Sequence, residues 1–353
     1  MANSTSKENI FIRILKYLVP WKGDKPTEIF RKIIFLAALI TLIISVTNLI
    51  LAQVNRITDN SLNKELSEIY QGTGASKVEI NTERREEIIK ENPEILEKFI
   101  PLKEINDDIV GWITVGNEDF IHYPVVQGTD NSYYLNHNFE KQESRSGSLF
   151  LDYRNKINSD KQSANLVIYG HNMQSGEYFG KLIYYFNYAV SQSDHNDISF
   201  YKNHPTITFS TLYKTSTYKI FGGVLVKVNS DDDDVFTYHT VHDFSAKAEF
   251  DNFCAQILDR SSFINPDVDL KYGDHLMALS TCVLGTAYGN TDLRWVIFAR
   301  ETREGEDETV DVSKAFANPS PLFYDLYYET RGGKWEGRGW DESIIQGYKK
   351  ENP

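Results

Sequence analysis

Three textures of apolar and polar positions succeed one another along this chain. The stretch that starts at Ile33 and ends at Ala52 (IIFLAALITLIISVTNLILA) has no formal charge, and as a helix it reaches roughly 30 Å, the depth of one hydrocarbon core. Residues 55 to 100 are polar and charged. Within them Glu65-Leu66-x-x-Ile69-Tyr70 and Arg85-Glu86-Glu87-Ile88-Ile89 predict short helices around a break at Gly72-Thr73-Gly74. From Ile109 onward, apolar runs of strand length recur at close intervals: 110–115, 123–127, 148–152, 164–169, 206–210, 217–228, 275–282 and 293–300. Such a series, punctuated by turn residues, predicts a mainly β domain built as a barrel or sandwich. Helix-period patterns interrupt it at 177–188 and 246–258.

Charge orients the first texture. Lys7, Arg13, Lys16, Lys22, Lys25, Arg31 and Lys32 precede the apolar stretch, so the positive-inside bias keeps the N-terminus in the cytoplasm and sends everything after Val54 outside. A cleaved signal peptide has an apolar core of only about 7–15 residues and a small-residue cleavage site. This stretch is longer and Ile50-Leu51-Ala52 is a poor site, so an uncleaved single-pass anchor in the cell membrane is expected. The expected divisions are a basic cytoplasmic segment (1–32), the anchor (33–54), a stalk with N-terminal helices (55–100), an extracellular β domain (101–302) and an acidic, aromatic tail (303–353). In the tail, Phe323, Tyr324, Leu326, Tyr327 and Tyr328 suit packing back on the domain better than an extended contact with the wall. The formal net charge of -13 leaves no basic stripe beyond the first segment, so no nucleic-acid partner is expected.

Two cysteines make no disulfide framework. Cys254 sits in Phe250-x-x-Phe253-Cys254-x-x-Ile257-Leu258, on the buried stripe of an amphipathic helix, where a thiol behaves as a small hydrophobe. A Cys254–Cys282 bridge would consume the other thiol. Cys282 closes the run 275–282, and Arg294 opens the return run. If the two are consecutive antiparallel strands, Cys282 and Arg294 lie near one another. Alternation puts Leu276, Ala278, Ser280 and Cys282 on one face of the first strand and Arg294, Val296 and Phe298 on one face of the second. The register that would join those faces stays open. The run 164–169 reads as a strand buried on both sides and ends at Gly170-His171-Asn172. His171 there either reaches into a site or bonds a neighbouring carbonyl. No histidine shows H-E-x-x-H spacing, so no metal is expected. Asp231-Asp232-Asp233-Asp234 reads as a solvated turn in preference to a calcium site.

These residues together resemble a class B sortase. The family's cysteine motif, TLxTC, is matched by Ala278-Leu279-Ser280-Thr281-Cys282, its arginine by Leu293-Arg294-Trp295-Val296-Ile297, and its histidine motif by Val167-Ile168-Tyr169-Gly170-His171-Asn172-Met173. Further matches are Asn106-Asp107-Asp108-Ile109-Val110-Gly111-Trp112-Ile113, Tyr123-Pro124-Val125-Val126-Gln127, Asp130-Asn131-Ser132-Tyr133-Tyr134-Leu135 and Gly147-Ser148-Leu149-Phe150-Leu151-Asp152. The set covers residues 60–302. The resemblance implies an eight-stranded sortase β-barrel with N-terminal helices and one inserted helix at 246–258, preceded by the transmembrane helix. It also implies Cys282 as nucleophile, His171 as acid and base, and Arg294 as oxyanion or carbonyl partner. Thr281, Ser280 and Asn172 are the implied substrate-binding residues, with no cofactor. The implied partners are secreted proteins bearing a Thr-containing C-terminal sorting signal and a peptidoglycan precursor amine, or alternatively a pilin lysine. Two departures stand out: Ala278 replaces the motif's first threonine, and no acidic residue directly follows Cys282. A secreted cysteine protease or amidase shares the thiol and imidazole but orients the imidazole with Asn or Asp. A catalytically silent wall-binding scaffold would not need all three groups, and the S-x-G-C signature of an L,D-transpeptidase is absent from both cysteines.

Overall fold

The computed structural model describes residues 10–73, 81–116, 120–186, 197–228, 235–283 and 292–348. Residues 231–234, with their four aspartates, lie outside this set. The chain divides into two compact units, Met1–Asn60 and Ser61–Pro353.

The first unit contains α1 (Ile10–Leu18) and the larger part of α2 (Pro26–Gln71). Between Pro26 and Gly72 there is no glycine or proline, so the expected anchor and the first stalk helix form one unbroken helix. Gly72, at φ 68°, ends it. Among the described residues α2 is the one helix long and apolar enough to cross a membrane, and its apolar window is wholly unburied by protein. Lys32 ties the turn before α2 together, donating to the Lys16 carbonyl and to the Asp24 carboxylate, both at 2.6 Å.

In the second unit, α3 (Thr82–Glu91) and α4 (Ile100–Ile105) lead into β1 (Ile109–Val115) and β2 (Ile121–Val126). There follow β3 (Leu149–Leu151), β4 (Asn165–Tyr169), α5 (Ser199–Asn203), β5 (Thr206–Thr211) and β6 (Thr215–Lys227). The chain continues through α6 (Lys247–Arg260), β7 (Phe263–Ile264), β8 (Leu276–Cys282) and β9 (Leu293–Glu301) to β10 (Phe316–Ala317). Eight strands close a barrel in the order β1-β2-β3-β4-β8-β9-β6-β5, while β7 and β10 form a small separate sheet. All eight strand-length runs of the sequence are barrel strands. The pairs β2–β3 and β4–β8 are parallel and the other barrel pairs antiparallel.

Alternation divides the strand residues between three apolar layers. Ile113, Val125, Leu151, Ile168, Phe209, Ile220, Leu279 and Ile297 fill the barrel interior. Outside it, one layer joins Val167, Val224, Ala278, Val296 and Phe298 to Phe250, Cys254 and Ile257 of α6. Another joins Trp112, Val126 and Phe150 to Leu66 of α2, Phe99 and Leu102. Cys254 is fully buried, and neither cysteine is in a disulfide.

The tail packs back. β10 pairs with β7, Trp340, Ile344 and Ile345 join the α6 layer, and the Trp340 indole donates to Asp259 of α6 at 2.8 Å. Tyr324, with Phe323 and Tyr327, packs on the interior cluster. The expectation of a helix at 177–188 is corrected: the described part holds only a 3-10 turn, Gly180–Tyr185. Gly180 opens that turn at a close approach of two chain segments, where a Cβ would come within 2.1 Å of the Met173 carbonyl oxygen.

Candidate active site

β4 and β8 run parallel with Tyr169 opposite Ser280, and the Gly170 N–H continues the ladder onto the Ser280 carbonyl at 3.2 Å. Continued two steps along both chains, the same register sets His171, just past the end of β4, level with Cys282. β8 and β9 run antiparallel with Cys282 opposite Arg294. The register that the sequence leaves open therefore brings His171, Cys282 and Arg294 into one row across three neighbouring strands. Met277, Leu279, Trp295 and Ile297 turn into the barrel, so Cys282 and Arg294 lie on its outer face. All three residues of the row are half-buried. The row occupies the seam between the two outer layers, where Tyr169 packs against both.

Hydrogen bonds define the state of these groups. His171 Nε2 lies 2.8 Å from the Leu135 carbonyl oxygen. A carbonyl can only accept, so this nitrogen is the donor and carries a hydrogen. The carbonyl-bonded reading of this histidine is realised at one nitrogen. Arg294 donates through Nη1 to the Leu293 carbonyl at 2.9 Å.

The expected substrate-binding residues hold the row's backbone. Thr281 donates to the Gly170 carbonyl at 2.7 Å, and Asn172 donates to the Cys282 carbonyl at 2.8 Å. The Ser280 hydroxyl bonds the Tyr238 phenol at 2.6 Å. All three side chains are buried. Burial pushes the Tyr238 phenol up to about 12, against the opposing pull of Ser280 and Arg294. Tyr238 thus lies within the electrostatic reach of the row.

A second polar knot braces the same seam. Asp152, fully buried, accepts from Arg154 Nε and Nη2 at 2.9 and 2.7 Å, from Asn131 at 2.9 Å and from the Tyr169 phenol at 2.9 Å. Burial alone would raise this carboxyl, but the donors of Arg154, Asn131 and Tyr169 bring it down to about 2. Arg154 also reaches the His239 carbonyl at 2.9 Å, tying β3 to the segment that carries Tyr238. His239 is held below the ordinary imidazole range by burial first, with Arg154 and Arg294 adding to it. Sequence reasoning missed Tyr238 and Arg154. The run ending at Asp152 had been matched without a role, and Arg154 directly follows it. Nothing local marks Tyr238.

No protein-family model matches the chain. Among curated proteins, Sortase B of Staphylococcus aureus is 32% identical over 211 residues, covering 60% of this chain and 77% of the relative. The chain belongs to the sortase B family. Sortase B of Listeria monocytogenes is 30% identical over 191 residues, 54% of this chain and 69% of the relative. A crystal structure of sortase B from B. anthracis is similar with a TM-score of 0.54 at 26% identity, over 70% of this chain and 98% of that one. A Staphylococcus aureus sortase B–substrate complex gives the same TM-score and identity, over 71% and 99%. The protein is accordingly a sortase-type transpeptidase, and its barrel is the sortase B fold.

Proposed function

We propose that this sortase cuts a Thr-containing C-terminal sorting signal of secreted proteins, keeps the acyl fragment as a thioester on Cys282, and passes it to an amine of the peptidoglycan precursor. The Cys282 thiolate attacks the carbonyl carbon after the threonine and forms a C–S bond. As the tetrahedral oxyanion collapses, the C–N bond breaks, and the His171 imidazolium gives its Nδ1 proton to the departing amine. The acceptor amine then attacks the thioester carbon and loses a proton to the same nitrogen. The C–S bond breaks and the thiolate returns. Arg294, cationic at every working pH, holds the carbonyl oxygen and the developing oxyanion. Ser280, Thr281 and Asn172 form the floor on which the substrate lies. No cofactor enters any step.

What supports this reading above all is the placing of Arg294 directly opposite Cys282, with His171 in the same row. The basic residues ahead of one apolar helix support residues 1–32 in the cytoplasm, 33–54 across the membrane, and the 55–100 stalk, the 101–302 catalytic domain and the 303–353 tail outside. The test is incubation of the detergent-solubilised full chain with a Thr-containing sorting peptide, with and without an amine acceptor. Amine adduct that grows with acceptor concentration and vanishes in Cys282→Ala is expected. Hydrolysis at the same rate with or without amine would turn the reading to a cysteine protease or amidase.

A further inference from the structure

The loop that leaves His171 is held from an unexpected direction. Asn172 and Tyr178 face one another across an antiparallel bridge, and the Phe179 N–H donates to the His171 carbonyl at 3.2 Å. From Tyr178, one short path therefore runs through backbone to His171. The other runs through Asn172, whose amide donates to the Cys282 carbonyl at 2.8 Å.

Tyr178 itself is in a conformation that a side chain rarely adopts. Its φ is 53°, one of two positive values at non-glycine residues among those described. Such a backbone persists where its surroundings over-determine it, and it gathers at functional sites. Here the surroundings are specific. The ring is buried and stacked on Tyr123, with centroids 4.9 Å apart at 14°. Its hydroxyl accepts a 3.1 Å hydrogen bond from the Asn63 amide.

Asn63 lies on α2, the helix whose earlier part is the apolar stretch. The end of α2 is firmly seated, with Leu66 fully buried and Tyr70 stacked on Trp112 of β1 at 4.3 Å and 10°. A fixed donor on a fixed helix thus grips the strained residue from which both arms of the row are held.

We propose that Asn63 and Tyr178 are positioning residues for the transfer reaction, through which the end of the anchor-bearing helix sets the relative placement of His171 and Cys282. The proposal rests on the reading of that row as the reacting centre. Neither residue touches substrate. Loss of their bond lets the Asn172–Tyr178 bridge drift, and the imidazole and thiol lose alignment while the peptide groove stays intact. Small misplacements of reacting groups act on the rate of the bound complex.

The test compares Asn63→Ala, Tyr178→Phe and the double variant, all as full-length chains in detergent, using a Thr-containing sorting peptide and an amine acceptor. Each single variant should lower kcat by roughly three- to tenfold, the span of one net hydrogen bond, with KM unchanged. The double variant should lose no more than either single one, since one bond is removed in each case. Alkylation of Cys282 by iodoacetamide should shift in rate in both single variants, reporting an altered thiol environment. Unchanged kcat and alkylation, or losses explained entirely by a smaller folded fraction, would overturn the proposal. So would additive losses in the double variant. A wild-type chain that fails to make amine adduct, or a Cys282→Ala variant that still makes it, would instead overturn the reading of the row.

Discussion

β9 carries two arginines on one face, and they live in opposite circumstances. Arg300 has no exposed side-chain surface, and it donates to both carboxylate oxygens of Glu306 at 2.7 Å, with Asp269 and Asp274 at 3.6 and 3.9 Å. Lys219 and Arg303 join the same cluster. Arg294, at the other end of the strand, is half-buried, faces Cys282 and bonds the carbonyl of its own neighbour. One guanidinium is enclosed by the protein's own carboxylates and clamps the start of the tail to the barrel. The other stands opposite Cys282 in the β8–β9 ladder. Residue type and strand face are the same, so the surroundings decide between a buried clamp and a half-buried guanidinium opposite Cys282.

The largest effect that separates the two ends is on folding. Arg300→Ala takes from Glu306 its fully buried partner, leaving it Lys219 and the Arg303 N–H, and should cost about 3–5 kcal/mol in chemical denaturation, as loss of one partner from a buried ion cluster does. The folded fraction should keep its kcat. A variant with wild-type stability would show that the cluster is ornamental. Arg294→Ala should reverse the pattern, lowering kcat by roughly 10²–10³, the usual loss for one oxyanion donor, with the denaturation midpoint unmoved. If that midpoint fell and turnover survived, the contrast would collapse.

Acid gives the mildest test. Burial would raise Glu301 and Asp152, but for Glu301 the bonds to His275, Lys214 and Ser216 outweigh it, and both carboxyls sit at about 2 against ordinary values of 4.5 and 3.8. A depressed carboxyl contributes its full stability above the unfolded value and loses it as pH falls through the folded one. The thermal midpoint should therefore gain nothing from these groups above about pH 5 and drop between there and about pH 2. Melts that stay level down to pH 2 would contradict the assignment of both carboxylates as stabilising.

Much of this was readable in the chain because it is periodic. Each barrel strand announces itself by an apolar run, and α6 by its buried stripe through Cys254. The motif residues His171, Cys282 and Arg294 could be named, but their meeting could not, since it depends on the β4–β8 and β8–β9 registers. The two arginines show the limit most clearly. Asp269 and Asp274, before β8, and Glu306, after β9, which capture Arg300, lie in two separate stretches of chain and carry no local signal of that duty. Tyr238 was illegible for the same reason, its partner Ser280 being reached only through the fold. The helix expected at Glu65–Tyr70 is not a separate short one but the end of α2, because no glycine or proline interrupts the chain between Pro26 and Gly72, where the expected break does occur.

The parallel pairing of β4 with β8 also governs when chemistry becomes available. Its two strands lie far apart in sequence, and closing so long a loop belongs to the slow, late part of folding. A chain still being made can present the imidazole early, but the thiol gains its neighbours only once the stretch through Arg294 has been delivered. Nascent or half-folded molecules therefore lack the row, and His171, Cys282 and Arg294 come together only with the completed barrel.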